Sequence, residues 1–251
     1  MKKELIYITI GLLIVCCLDI VAIQTIIKRT KTFYYTKEFR EHCLDDIFVN
    51  EIRNSQNVSE DVAAYLYKNE SVSMDYENYE NCVKKIWDNV KYFPVAEFLT
   101  KKSYTISYSN SWMNERTYGG TRGHEGTDIM ANVNKRGTYY VVSMTDGTVS
   151  KMGWLEKGGY RIGITTEEGI YFYYAHLESY ADLKVGDKVK AGDFLGFMGD
   201  SGYGTIGTVG QFPVHLHIGI YVIDYEKEIS INPYWVLRYV ENRTIKCYTE
   251  E

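Results

Sequence analysis

The residues that could do chemistry are four of the five histidines, which lie in three short segments of the C-terminal half. The segment GHEGTD contains His124 and Asp128, YYAHL contains His176, and VHLHI contains His215 and His217. Two imidazole nitrogens and one carboxylate oxygen suit zinc and leave its fourth position to a water molecule, whose pKa the metal lowers. The two remaining histidines could then carry protons during the hydrolysis of an amide. These residue types predict a zinc-dependent hydrolase.

The segment VHLHI lies in a predicted strand. Residues two apart in a strand share a face, so His215 and His217 point the same way, together with Gly219 and Tyr221. The opposite face carries apolar residues only: Leu216, Ile218, Ile220 and Val222. Burying two histidines on one face costs free energy unless a metal or a reaction uses them. The strand alone leaves a second interpretation open, a solvated face with two surface histidines.

The run GIYFYYAHL also alternates like a strand. The same rule predicts that His176 shares a face with Tyr174 and Phe172, at the end of the strand, where a side chain can reach a cleft. By itself a histidine there is more often half buried in ordinary packing. Its interpretation as a catalytic group therefore depends on the other two segments.

Three other patterns would give different chemistry. The segment from His124 to Asp128 could be a damaged form of the helical H-E-x-x-H zinc motif with Glu125 as the base, but its glycines disfavour a helix. The run VGDKVKAGDFLGFMG resembles biotinyl and lipoyl carrier domains, with Lys151 as the modified lysine, and that interpretation leaves four histidines without a role. The residues from 202 to 207 match G-x-G-x-x-G without the strand–helix unit of a nucleotide site, so we expect a loop near the candidate site.

The elements that would position these residues begin after about residue 101. Short β-type runs separated by glycines predict a compact, mainly β domain over 101–240, followed by a tail over 241–251. Asn232 and Pro233 end the last strand and precede a short helix. Six runs carry the strand pattern: TYYVVS, GTVSKM, YRIGIT, GIYFYYAH, DFLGFM and VHLHIGIYV.

Two different segments precede this domain. Residues 5–27 form a nearly unbroken apolar run with Asp19 as its only charge, long enough to span about 30 Å of hydrocarbon as a helix. Because no small-residue cleavage site follows, we expect an uncleaved transmembrane anchor behind a short tail of residues 1–4. The positive charges on both sides of the run leave its orientation open. Over 28–100, amphipathic patterns such as NYENCVKKIWDNVKYF predict a helical stalk or small subdomain.

Composition excludes one class of partner and leaves one question open. The chain is of globular composition, with 24% charged residues and a net charge of −5, which argues against a nucleic-acid partner. Its five cysteines show no metal-type spacing. A disulfide between Cys43 and Cys82 is an open alternative for a domain outside the cell.

Taken together, the three histidine segments resemble those of the lysostaphin- and LytM-type zinc endopeptidases, which cleave peptide bonds in bacterial cell-wall peptidoglycan. The shared motifs are H-x-x-x-D at His124 and Asp128, A-H-L around His176, and H-x-H at His215 and His217. The run VGDKVKAGDFLGFMGDSG is typical of these enzymes in its placement and glycine pattern. The resemblance covers residues 123–220.

The resemblance implies a lysostaphin-type domain of antiparallel sheets, similar to a duplicated hybrid motif, with one zinc ion per chain. It assigns His124, Asp128 and His217 to the metal and His176 and His215 to catalysis, without saying which of that pair is the base. It also implies a peptidoglycan peptide as substrate. The catalytic domain would then lie outside the cytoplasm and the tail of residues 1–4 inside it, on a single-pass protein of the bacterial cell membrane.

Two features depart from the family pattern. The residues after H-x-H are usually Phe-Glu but are Ile218 and Gly219 here, and the segment from Gly204 to Val214 is longer than the usual turn. Both differences could reshape the cleft. Some family members lack a ligand and serve as binding or assembly proteins, so a catalytically silent cell-envelope scaffold is the alternative function, although this chain retains all five positions.

Overall fold

The computed structural model describes residues 58–69, 74–100, 102–224 and 227–248, which belong to one compact unit. The predicted transmembrane segment over 5–27 and Cys43 lie outside these residues, so the membrane anchor and the Cys43–Cys82 disulfide stay predictions. None of the helices in the described ranges has the length and apolar character needed to cross a membrane.

The described residues form three helices: α1 over Val58–Asn69, α2 over Tyr76–Asn89 and α3 over Pro233–Val240. The side chain of Asp75 caps α2 by accepting a hydrogen bond of 3.1 Å from the backbone N–H of Asn78. Helix α3 begins where the sequence predicts, because the Asn232 side chain accepts a hydrogen bond from the backbone N–H of Tyr234. Helices α1 and α2 fall within the range of the predicted stalk, whose residues 28–57 lie outside the described residues.

The described strands are β1 Glu97–Phe98, β2 Ile106–Ser107, β3 Glu115–Arg116, β4 Arg122–Gly123, β5 Thr127–Ala131, β6 Tyr140–Val142, β7 Gly147–Leu155, β8 Gly159–Thr165, β9 Tyr171–Tyr180, β10 Lys188–Val189, β11 Phe194–Met198, β12 His215–Asp224, β13 Lys227–Ile231 and β14 Lys246–Cys247. Ten of them form one antiparallel sheet, in which β10, β7, β8, β9, β12, β5 and β2 are neighbours in that order. Strand β11 pairs with β6 and β9, and β13 pairs with β12.

This architecture confirms the predicted mainly β, antiparallel domain. Each of the six predicted runs contains a strand. Among the described residues, the strand pair that is parallel and not antiparallel is that of β1 and β14, two residues long. Strand β14 belongs to the predicted tail and β1 to the predicted stalk segment. The domain boundaries at 100 and 240 stay predictions.

Strand β12 has the two unlike faces that its alternation predicts. Leu216, Ile218 and Ile220 are completely buried in the core. His217 and Tyr221 lie on the other face and line a cleft. The core therefore holds the strand in place while its polar face is free to form a site.

Candidate metal centre

Strand pairing brings the distant parts of the predicted site together. In the register of β12 with β5, His217 lies opposite Asp128, and in the register of β12 with β9 it lies opposite Ala175. His124 comes from the short loop between β4 and β5, four residues before Asp128. His217 thus contacts a carboxylate 89 positions away in the chain.

His124, Asp128 and His217 face one another through single donor atoms. Nε2 of His124 lies 3.1 Å from Oδ1 of Asp128 and 3.0 Å from Nδ1 of His217. That Nδ1 lies 3.0 Å from the same carboxylate oxygen. A tetrahedral zinc ion with bonds of about 2.1 Å needs donors about 3.4 Å apart, so the triangle fits zinc after a small expansion. Among the histidine, cysteine and acidic side chains of the described residues, these three lie close enough together to hold a metal ion.

Neighbouring groups orient two of these side chains toward the centre of the triangle. Nη2 of Arg116 donates a hydrogen bond of 2.6 Å to Oδ2 of Asp128, which leaves Oδ1 for the histidines. Nδ1 of His124 lies 3.0 Å from the carbonyl oxygen of Ser111. When Nδ1 donates its hydrogen to that oxygen, the lone pair of Nε2 is directed at the site, as a ligand histidine requires.

The charge state of the three groups also suits a metal. Burial by itself raises the pKa of Asp128, but the hydrogen bonds with His124 and His217 outweigh it and hold the pKa well below its usual range. Burial lowers the pKa of His217. An ionised carboxylate and a neutral imidazole are the forms that bind a metal.

His176 and His215 form a second group beside the triangle, with ring centroids 4.7 Å apart. Nδ1 of His176 donates to the carbonyl oxygen of Ser201, and Nδ1 of His215 to that of Pro213, each over 2.8 Å. Each ring therefore keeps an unprotonated Nε2, and that of His215 lies 3.8 Å from Oδ1 of Asp128. Burial lowers the pKa of both rings, so both are neutral proton acceptors near pH 7.

The predicted orientation of His176 is wrong in one respect. Phe172 and Tyr174 are completely buried, whereas His176 lines the cleft together with Tyr173. At His176, which has a φ of +62°, strand β9 takes up one residue more than β8. Such a bulge shifts the alternation by one residue and turns the histidine to the other face. The strand also continues to Tyr180 instead of ending here.

The structure adds three residues that sequence reasoning missed. The ring of Phe212 lies 4.6 Å from that of His176 and 5.0 Å from that of His215. Tyr203, with a φ of +57°, packs 4.9 Å from Phe212 and comes from the G-x-G-x-x-G run, which is a loop at the site as predicted. A signal for Phe212 was present in the unusually long segment before H-x-H. Nothing in the sequence around Arg116 marks it as a residue that contacts the site.

The two competing zinc and carrier interpretations are wrong. Asp128 lies in strand β5 and His124 in the loop before it, so they do not share a helix face as H-E-x-x-H requires. Glu125 is exposed. Lys151 lies inside strand β7, not in a hairpin turn, and its Nζ lies 4.8 Å from the centre of the Tyr171 ring.

All five predicted site residues line one cleft of about 570 Å³. Fold and site together define a mainly β protein with a candidate metal centre of the hydrolase type. The sequence profile of Peptidase family M23 matches residues 122–233. A crystal structure from Ruminococcus gnavus, described as that of a candidate glycyl-glycine endopeptidase LytM, is 48% identical with a TM-score of 0.73, and the likeness covers 86% of this chain and 95% of that one. The chain belongs to peptidase family M23.

Two curated relatives match part of the chain. The L-Ala–D-Glu endopeptidase of Bacillus subtilis is 44% identical over 133 residues, which are 53% of this chain and 40% of that protein. The glycyl-glycine endopeptidase ALE-1 of Staphylococcus capitis is 37% identical over 111 residues, which are 39% of this chain and 29% of that protein. This chain therefore spans less than half the length of either relative.

Proposed function

We propose that this protein is a membrane-anchored, zinc-dependent endopeptidase that hydrolyses peptide bonds of bacterial peptidoglycan. The observation that carries the proposal is the convergence of Nε2 of His124, Oδ1 of Asp128 and Nδ1 of His217, beside two further neutral histidines. Membership of family M23 supports the reaction. The names of the two relatives support the substrate class and offer two bond types, L-Ala–D-Glu and Gly–Gly.

In this proposal, the chain's own residues divide the work. A zinc ion held by His124, Asp128 and His217 would supply a Lewis acid that polarises a peptide carbonyl and acidifies water. His176 and His215 each keep an unprotonated Nε2 because Nδ1 is bonded to a backbone carbonyl. One of them accepts the proton of the attacking water, and the protonated form then donates to the leaving nitrogen. The other would donate to the negative charge that develops on the carbonyl oxygen once its Nε2 has taken up a proton.

The test uses the full chain in detergent, loaded with zinc and incubated with purified peptidoglycan of several cross-bridge types. We expect new muropeptide ends by mass spectrometry that vanish with a chelator and return when zinc is restored. Zinc bound at one per chain without products on any peptidoglycan would contradict the proposal and favour the catalytically silent scaffold.

The membrane part of the proposal is supported by the apolar run over residues 5–27. A peptidoglycan substrate places the catalytic domain outside the cytoplasm. We expect the chain, expressed in a bacterium, to stay with membranes after alkaline extraction and its domain to be degraded by protease added to intact spheroplasts. A domain protected from that protease would contradict this orientation.

A further inference from the structure

The cleft continues from the metal centre along a row of tyrosines. The ring of Tyr173 lies 5.8 Å from that of His217, and Tyr221 and Tyr171 follow at ring distances of 6.1 to 6.4 Å. A Cβ atom at Gly163 would collide with the Tyr171 ring, so the ring lies across the sheet there. These rings make a wide aromatic floor on which an extended peptide can lie.

Two arginines in this part of the cleft have buried N–H groups without a partner among the described residues. Nε and Nη1 of Arg161 and Nε of Arg122 are buried and have no hydrogen-bond partner among the described residues. Nη1 of Arg122 makes a hydrogen bond of 3.3 Å to the carbonyl oxygen of Gly123. A guanidinium group is always charged, and burying its N–H groups without acceptors costs free energy. Such an arrangement is typical of a site that a ligand completes.

Two other cationic groups of the cleft differ from these arginines, because they lie beside carboxylates. Arg116 is paired with Asp128 at 2.6 Å, and Nζ of Lys151 lies 4.0 Å from Glu228. The chain as a whole carries a net charge of −5, so a positive region in the cleft is a local feature. Arg122 and Arg161 therefore carry charge that no carboxylate among the described residues compensates, as does Lys157, whose Nζ lies 3.5 Å from the carbonyl oxygen of Gly119.

Tyr173 lies in the cleft with the two arginines and reaches the metal centre. Arg161, Arg122 and Tyr173 line the same cleft. The Tyr173 ring in turn lies edge-on to that of His217. An anion bound by the arginines would therefore lie in the same cleft as a peptide bond at the metal centre.

We propose that Arg161 and Arg122 form a carboxylate-binding site that selects acidic peptides over neutral glycine peptides. The planar guanidinium fork binds a carboxylate through two parallel hydrogen bonds, and the aromatic surroundings strengthen that interaction. This inference rests on the proposed function. Of the two bond types considered there, the Ala–Glu bond has an unlinked carboxylate beside it and the Gly–Gly bond does not.

The test compares two peptides that differ in one group, an L-Ala–D-Glu peptide with a free glutamate carboxylate and its carboxamide. We expect the zinc-loaded full chain to hydrolyse the acid with a kcat/KM at least about tenfold higher, because a charge-assisted bidentate contact is lost in the amide. Arg161→Gln should remove this preference mainly through KM. Arg161→Lys, which keeps the charge but not the fork, should retain part of it. Arg243→Gln is the matched control, since Arg243 is exposed and stacks on Tyr239 outside the cleft.

A binding measurement separates this inference from the proposed function. The same two peptides, with the Ala–Glu amide replaced by a ketomethylene group, are titrated calorimetrically into the full chain with zinc and after chelation. We expect the acid to bind at least about tenfold more tightly than the amide, and about equally in Arg161→Gln. Equal affinity of wild type for both peptides, or an equal loss for both in Arg161→Gln, would overturn the inference. Acid-selective binding without hydrolysis of any peptide would instead overturn the proposed function and leave the carboxylate site standing.

Discussion

The cleft and the turn at Asp146, between strands β6 and β7, both hold ionisable side chains, but they arrange them in opposite ways. We call this turn the corner of the sheet. In the cleft, the donor atoms of the three proposed ligands face one another, away from water. At the corner, Asp146 accepts hydrogen bonds of 2.8 Å from the backbone N–H of Ala191 and 2.9 Å from Nζ of Lys91. Its side chain remains 40% exposed.

This difference in arrangement indicates that the side chains in the cleft serve function and that those at the corner serve stability. A cluster of metal-binding atoms that face one another becomes more favourable when a metal binds between them. A carboxylate that accepts hydrogen bonds from a backbone N–H and from a lysine ammonium group stabilises the fold directly. Substitutions in the cleft should therefore change metal binding or turnover more than stability, and substitutions at the corner should do the reverse.

The largest effect is expected for His217→Ala. Removing one of three proposed ligands should abolish stoichiometric zinc and lower kcat/KM by about three orders of magnitude or more. Metal analysis by mass spectrometry and the muropeptide assay measure the two losses. Thermal unfolding should show a folded domain, and zinc retained at one per chain would remove His217 from the ligand set.

His215→Ala is the sharpest partner of that variant, because it lies two residues away on the same face of β12. We expect zinc to stay bound while kcat falls by about 10²- to 10⁴-fold, since a proton carrier is lost and the ligands are kept. His176→Ala should behave in the same way. If these variants lose metal as His217→Ala does, the division between ligands and proton carriers is wrong.

A pair of glycine substitutions tests whether the packing around the ligands matters separately from stability. A Cβ at Gly126 would collide with the His217 ring, so Gly126→Ala should lower zinc affinity by about 10- to 100-fold. Gly147→Ala is the control, because its Cβ would lie 2.7 Å from Ile164 and from the carbonyl oxygen of Thr165, away from the site. That variant should lose about 1 to 3 kcal/mol of unfolding free energy and keep its zinc affinity. Equal effects on zinc in both would show that Gly126 acts through stability alone.

The smallest effect is expected at the corner, and it depends on pH. The Ala191 N–H and then Lys91 lower the pKa of Asp146 from 3.8 to about 2. A lowered folded-state pKa gives stability that is present above the ordinary value and is lost as the pH falls through about 2. Asp146→Asn should thus reduce the unfolding free energy by less than about 1 kcal/mol at pH 7, because the side chain is partly exposed, and the difference should shrink as the pH falls toward 2.

Denaturant unfolding at several pH values measures this difference, with Glu167→Gln at an exposed turn as the control. A constant difference between wild type and Asp146→Asn from pH 7 to 2 would contradict the titration of Asp146. Zinc affinity and turnover should be the same in both proteins. A loss of either would break the separation between corner and cleft.

Local sequence determined much of this protein because strand alternation and motif spacing are local properties. The alternation around His217 predicted which face of β12 enters the core, and the side chains of Leu216 and Ile218 confirm it. The three histidine segments predicted five residues that line one cleft. The six strand runs predicted the mainly β domain in the same way.

Tertiary structure decided the features that depend on pairing between distant strands. The bulge that turns His176 into the cleft exists only because β9 takes up one residue more than β8. The contact of His217 with Asp128 depends on the register of β12 with β5. Buried N–H groups of Arg161 lack a partner among the described residues, whereas Arg116 is bonded to Asp128. This difference depends on which side chains the folded sheet brings within hydrogen-bond distance. The spacing of these residues along the chain does not predict how far apart their side chains lie in the folded sheet.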